Sequence, residues 1–487
     1  MTLRLNRILP PTVPERCRIW GRIQTNRNLI SDFPEVGIMA NEKKSKAAVS
    51  RRQFISSSAV GAAAAAHFLF TGTGRSAAND EKIRVGVIGC GGRGTGAALN
   101  LLLAQTKVIY PPPRSGYHTE DAVPGARVKA TDVEVVALAD LFQNRLDHCR
   151  AQLKLVGNEV SDHNCFVGFD AYEKVVSLPE VNYVVLASPP QFRPREIRAA
   201  VEAGKHVFAE KPVAVDAPGA RSVIESGEMA KKKGLGFLAG TVRRHSRDIT
   251  ETVKRLRGGA VGEILEVRAY FNIGELWTIP REPGWGDAEW QLRNWNYFTW
   301  LSGDCIVEQH IHNLDQANWI MGGHPVRAYG MGGHISRTSD EFGNIYDHFA
   351  IEYEYANGTR LFSQNRQIDN GTTRVGVDVL GRKGTSNCKD TITSDGEWRY
   401  DGEKPDGYEA EHRDLIESIR AGKPLNEARD VAESTLTAIM GREAAYSGKV
   451  IEWDAVWNSK RDYTPEHYQL GDMPFPQVVN PKTYKFY

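Results

Sequence analysis

Gly89-Cys90-Gly91-Gly92-Arg93-Gly94 follows the short apolar run Ile83–Ile88 and opens a helical pattern carried by Ala97, Ala98, Leu101, Leu102 and Ala104. No other feature restricts the chain as much. A glycine loop between strand and helix predicts a βα unit whose helix N-terminus meets a phosphate. The first glycine makes the tight turn, the second admits pyrophosphate to the backbone, and the third lets helix pack on strand. Further apolar runs at 133–139, 183–187, 206–208 and 235–239 alternate with helical patterns over 141–154, 194–203 and 217–233. Strands that are apolar throughout and separated by helices mean a parallel sheet covered on both faces.

The expected first domain is therefore a Rossmann-type, doubly wound α/β sheet over residues 82–242. Asp140 ends the second strand, where it can accept hydrogen bonds from adenosine ribose hydroxyls. A Pro/Gly/charge-rich insertion, residues 111–132, lengthens the spacing from loop to acid; it reads as a clamp on the adenosine half or as an oligomer contact. An acid at 140 favours NAD, while Arg145 leaves NADP possible. Beyond residue 242 the pattern changes. Phe349, Ile351, Tyr353 and Tyr355 alternate with polar residues up to Asn357-Gly358, a pair that favours a type I′ hairpin turn. Runs at 264–271, 361–368 and 374–380, then helices near 409–421 and 427–446, complete an α+β domain over 243–455 with an open, mostly antiparallel sheet. Residues 456–487 read as an extended arm.

Charge is unevenly spread along the 487 residues. Residues 1–78 hold 12 Lys and Arg against 4 Asp and Glu, leaving 49 against 56 in the rest. A body of net negative charge disfavours nucleic acid and anionic membranes as partners. No apolar run reaches the ~20 residues of a membrane span, so stable insertion is not expected. The basic excess belongs to Ser50-Arg51-Arg52-Gln53-Phe54-Ile55, the Ala-rich run 59–70 and the small residues Ser76-Ala77-Ala78. This resembles a twin-arginine export signal. It implies passage through the twin-arginine translocase, a periplasmic destination, and translation from Met39 rather than Met1.

Glu210-Lys211-Pro212 ends the strand at 206–208, on the carboxyl edge where open α/β sheets bind ligands. Together, the glycine loop, the Ala139-Asp140 strand end and Glu-Lys-Pro resemble the Gfo/Idh/MocA oxidoreductases over about residues 82–455. The resemblance implies an NAD(P)-dependent oxidoreductase of a sugar, cyclitol or related polyol. The nucleotide is expected on Gly89, Gly91, Gly92, Arg93, Gly94, Asp140, Ser188, Pro189, Glu210 and Lys211. It places the catalytic lysine at Lys211 and the catalytic histidine at His312, four residues after Glu308 on one expected helix. Neutral imidazole can take the hydroxyl proton while the ammonium stabilises alkoxide charge. Glu308 can orient His312 or hold a sugar hydroxyl.

Three positions depart from the family pattern. Glu308 stands where Asp is usual, His310 where Gly is usual, which narrows the pocket, and Arg193 where a histidine is common near the nicotinamide. Substrate candidates are Arg243, Arg244 and His245, and the stretch Arg293 to Trp300 with Trp295; the first reads equally as a solvated basic turn, the second as core or dimer interface. Trp277 and Trp285 sit in a Gly/Pro-rich loop that can act as a lid. His310 and His312, two apart on a helix, diverge too far to share a metal, and no metal is expected. Export adds a constraint: free nicotinamide nucleotide is scarce outside the cytoplasm, which favours a tightly held cofactor. Two further readings stand beside the dehydrogenase: glycoside cleavage through transient oxidation, and a non-catalytic exported sugar-binding or scaffold protein. A homo-oligomer is implied by the resemblance.

Overall fold

The computed structural model describes residues 82–111 and 118–486; the expected export signal lies outside them. In the first domain the strands are β1 Ile83–Ile88, β2 Thr106–Ile109, β3 Thr119–Ala122, β4 Val133–Asp140, β5 Cys165–Val167, β6 Tyr183–Leu186, β7 His206–Ala209 and β8 Phe237–Ala239. Six of them form a parallel sheet in the order β5-β4-β1-β6-β7-β8. The order reverses at β1, next to the glycine loop, which is where such sheets open a crevice at their carboxyl ends.

Alternation splits each strand between two cores. Tyr183 and Val185 of β6 join Val85, Val87, Leu99, Leu146 and Phe208 on one face. Val184 and Leu186 join Val175, Ile197, Val201 and Val223 on the other. The first face is completed from far along the chain: Leu415, Ile416 and Ile419 of the helix Gly407–Arg420 belong to it. The following residues run beside β8, with Phe237 N–H donating to Leu425 O at 2.8 Å and Glu427 N–H to Phe237 O at 2.9 Å. The insertion contributes β3 to a two-stranded ribbon whose other strand, β2, precedes it. β2 and β3 pair antiparallel, and a Cβ on Gly96 would meet the Glu120 side chain at 1.8 Å, so the ribbon lies directly on the helix Gly92–Leu101.

The second domain contributes β9 Ile264–Ile273, β10 Arg327–Gly333, β11 His348–Glu354, β12 Arg360–Gln367, β13 Arg374–Gly381, β14 Gly384–Ser386, β15 Thr391–Thr393, β16 Glu397–Arg399 and β17 Ile451–Glu452. These form one sheet, β16-β15-β14-β13-β9-β12-β11-β10-β17, antiparallel except for β12 against β9. Helices Ile311–Met321 and Ala428–Ser447 cover one face. The other face leaves Tyr329, Met331, Phe362 and Leu380 exposed.

Two local expectations are corrected. The Asn357-Gly358 hairpin is not type I′, because only Gly358 has positive φ, at 85°. Tyr355 pairs with Thr359 and accepts from Gly358 N–H, giving a type I turn closed by a glycine bulge. The histidine helix is broken. Cys305–Glu308 is one short helix and Ile311–Met321 another. Between them Gln309 is drawn to Asn296 and Gln367, and His310 to Ser363 Oγ at 2.7 Å, which pulls the chain out of regular helix.

Candidate functional site

The glycine loop has the shape of a phosphate cradle. Gly89 takes φ +91°, and a Cβ on Gly94 would sit 1.8 Å from Gly89 O, so neither position admits a side chain. Nothing lies within 4 Å of where a Cβ on Gly91 would project. That opening, at the N-terminus of the helix Gly92–Leu101, suits an anion. It leads into a cleft whose walls include Gly91, Asp140, Phe142, Ser188, Pro189 and Trp295. The loop, the acid and the cleft fit a dinucleotide, which would lie with pyrophosphate at Gly91 and adenosine ribose at Asp140.

Not every expected cofactor contact is free for one. Arg93 turns its guanidinium away from the phosphates, to Glu120 at 2.6 Å, Asn100 at 2.8 Å and Glu210 at 3.0 Å, and stacks over Tyr408. Only its backbone is left for the loop. Glu210 is buried in the same cluster, where burial raises its pKa against the pull of Arg93. It therefore faces away from the cleft. Asp140 is held by Cys90 N–H at 2.7 Å and Phe142 N–H at 2.8 Å. Each oxygen keeps a second lone pair, and burial lifts its pKa. Ser188 donates its hydroxyl to Glu196, a buried carboxyl pushed up to about 7 by desolvation. Arg193, at the family's usual histidine position, is buried and donates to Glu210 O and Pro212 O, so it braces the Glu-Lys-Pro turn.

That turn aims Lys211 across the domain boundary. Its ammonium reaches Glu308 Oε1 at 2.9 Å and Glu308 O at 2.6 Å, both residues nearly buried. Glu308 thus holds the lysine rather than the histidine. His312 is half-buried on the first turn of the next helix. Burial, then the charges of Lys211 and Arg243, keep its pKa well below the ordinary imidazole value. A neutral imidazole beside an ammonium is an arrangement suited to proton removal from a hydroxyl.

Several expected substrate contacts have other work. Arg243 donates to Gln316 Oε1 at 2.9 Å and to His312 O at 3.4 Å. Arg244 forks onto Asp315. His245 lies between Asp414 at 2.7 Å and Glu427 at 3.5 Å; burial opposes its protonation, but these carboxylates raise its pKa to about 10. Arg243 and Arg244 thus brace the helix Ile311–Met321 through Gln316, His312 O and Asp315, while His245 ties the turn to Asp414 and Glu427. His310 does not narrow the pocket, since it is fully buried against β12 and burial lowers its pKa to about 3. Of the second substrate stretch, Trp295 lines the cleft and Arg293 stands at its edge. Arg293 lies 3.8 Å over the Phe142 ring, and Trp295 lines the cleft with Trp277.

The residues missed from sequence are Phe142 and Leu292, which line the cleft, and Tyr468, which packs against the same hydrophobic cluster. Phe142 carried a usable signal, two residues beyond the acid; Tyr468 carried none. Among the described residues no group of His, Cys, Asp and Glu could hold a metal, and no helix is long and apolar enough to cross a membrane.

Comparison with known proteins agrees with this geometry. Residues 83–240 match the Gfo/Idh/MocA oxidoreductase family, NAD-binding Rossmann fold, and residues 249–387 match the Gfo/Idh/MocA C-terminal domain. The chain is 27% identical over 314 residues to inositol 2-dehydrogenase of Rubrobacter xylanophilus, covering 63% of this chain and 71% of that protein. It is 25% identical over 192 residues to 2,7-anhydro-N-acetylneuraminate hydratase of Escherichia coli, covering 39% of this chain and 47% of that one. It therefore spans about half the length of the hydratase. Scyllo-inositol dehydrogenase of Lactobacillus casei, solved with NAD(H) and scyllo-inositol, shares the fold at TM-score 0.55 and 18% identity, over 77% of this chain and 99% of that one. Glycine cradle, acid-ended strand, Glu-Lys-Pro turn and open second sheet thus meet in one assignment: the chain belongs to the Gfo/Idh/MocA oxidoreductase family, with an NAD-binding Rossmann domain.

Proposed function

We propose that this chain oxidises or reduces a secondary hydroxyl of a sugar, cyclitol or related polyol, with NAD held tightly between its domains. The observation that carries the reading is Lys211, fixed at 2.9 Å from Glu308 and near enough to the neutral, half-buried His312 for its charge to depress that imidazole's pKa. When bound, the nicotinamide supplies the hydride acceptor. His312 takes the hydroxyl proton. Lys211 donates a hydrogen bond to the same oxygen and stabilises the charge that develops on it. Glu308 keeps the lysine aimed, and Arg243 holds the backbone of His312 in place. NAD is favoured over NADP because Asp140 faces the ribose position.

The hydratase relative favours a second reading: the same groups can support glycoside cleavage in which a ring hydroxyl is oxidised, the neighbouring substituent eliminated, water added and the ketone reduced again. That cycle returns the cofactor to its starting state and suits an exported protein. The twin-arginine pattern at Arg51-Arg52 supports export to the periplasm. The exposed Tyr329, Met331, Phe362 and Leu380, interleaved with Glu266, Arg268 and Glu352 on the open sheet face, support a homo-oligomer through that face. A non-catalytic scaffold is disfavoured by the Lys211–Glu308–His312 arrangement.

The test is turnover with a panel of cyclitols, aldoses and glycosides, following reduced nucleotide and released aglycone separately. Steady NADH formation identifies a dehydrogenase. Aglycone release without net NADH identifies the redox-neutral cycle. Neither product across the panel, with nucleotide bound, favours the scaffold.

A further inference from the structure

The wall of the cofactor cleft opposite the Rossmann sheet comes from the second domain. Trp277, Leu292 and Trp295 face the loop, acid and serine of the first domain across the cleft. They lie toward the adenosine half. Arg145 Nη2 donates to Arg293 O at 3.2 Å, Arg293 stacks at 3.8 Å over Phe142, and both belong to the helix start after Asp140. The segment 274–298 is itself rigid: Ile279 N–H donates to Asn294, and Trp290 Nε1 to Ile279 O at 2.8 Å.

Behind that wall runs the C-terminal arm. Tyr463 N–H is anchored on Asp216 at 2.9 Å. Tyr468 then meets Gln191 at 2.8 Å, with Arg195 stacked 3.9 Å over its ring, and packs against Phe169 and Phe192, which line the cleft. Further on, Ala288 N–H donates to Gly471 O, and Phe475 stacks on Trp290 at 6.1 Å. The arm thus touches Phe192, which lines the cleft on the first-domain side, and Trp290, which shares the helix Asp287–Arg293 with the lining residue Leu292 on the other.

We propose that segment 274–298 forms a second-domain clamp on the adenosine half of the nucleotide, with Trp295 as its binding side chain and the C-terminal arm, through Tyr468, as its brace. The inference rests on the reading of a tightly held NAD and names what holds it. An exchangeable coenzyme needs one lip free to open. Here the lips are tied to each other by a segment that belongs to neither sheet, so release requires the arm to lift. A preorganised aromatic wall slows dissociation more than it alters association.

The experiment compares the full chain with Trp295→Ala, Trp295→Phe and Tyr468→Ala. Each is purified, gel-filtered and denatured, and its released nicotinamide nucleotide is counted per chain. Each is also loaded with NAD, and dissociation is timed after dilution; thermal melting with NAD reports folding. The expected result is about one NAD(H) per wild-type chain, with dissociation about tenfold faster or more in Trp295→Ala and Tyr468→Ala. Trp295→Phe should stay near wild type. Equal dissociation rates in all four proteins would overturn the clamp even if the wild type arrives loaded. A wild type that arrives empty overturns the resident-cofactor reading, while the rate comparison still decides the clamp. Failure of every form to bind NAD removes both. Should Trp295→Ala fail to melt cooperatively, the Tyr468→Ala and Trp295→Phe rates carry the decision.

Discussion

Lys211 and His312 are the residues on which the chemistry turns, and each makes a separate prediction. Lys211→Ala and His312→Asn should each lower kcat at least about 100-fold, the usual scale for losing a positioned proton-transfer group. Nucleotide content should change little, because the glycine loop, Asp140 and the aromatic wall of the cleft are untouched; steady-state assays beside nucleotide counting check both. The pH profile follows from the cations around His312. A depressed pKa keeps the base neutral down to pH values well under 6.5, so kcat/KM should show no acid limb near pH 6.5. Replacing Lys211 with Met removes one positive charge and should move the imidazole titration upward, which NMR of labelled histidine reads directly. An unchanged titration would remove Lys211 as the cause.

At the scale of elements, the helix Gly407–Arg420 makes the sharpest claim. Leu415 lies fully buried on the Rossmann sheet, with its Cδ1 at 2.7 Å from where a Cβ on Gly236 would sit. Leu415→Ala should cost about 2–5 kcal/mol in urea unfolding. His245, held between Asp414 and Glu427, gives the matching pH test. Its pKa is raised to about 10 in the fold, so its contribution is complete below pH 6.5 and disappears as pH rises through 10. His245→Gln should therefore destabilise by about 3 kcal/mol at pH 6 and much less near pH 10.5. Periodicity made these elements legible, because apolar runs and helical repeats are local. The partners of Arg244 and Tyr468, and the Phe142 ring under Arg293, are not local. A basic triplet reads alike whether it meets a sugar or Asp315, and only the fold decides. The broken helix at Gln309 was hidden for the same reason: its cause is Asn296, Gln367 and Ser363 on other elements.

For the whole molecule, the open sheet face predicts assembly. Met331→Glu together with Phe362→Asp should lower the apparent mass in gel filtration and light scattering while leaving nucleotide binding intact; an unchanged mass would place any oligomer contact elsewhere. The path of the chain also has a consequence for synthesis. The first domain is not finished when its last strand is made: the helix and edge segment at 407–427 that close it lie about 190 residues further on. At a ribosomal rate of about 5–20 residues per second, that interval is roughly 10–40 s. Throughout it, Tyr183, Phe208 and Leu238 stand without their cover. The nascent chain therefore carries a bare apolar surface for seconds and then seals it late, in one step. A holding chaperone has a defined window in which to act, and the nucleotide has a defined moment after which the pocket it enters is complete.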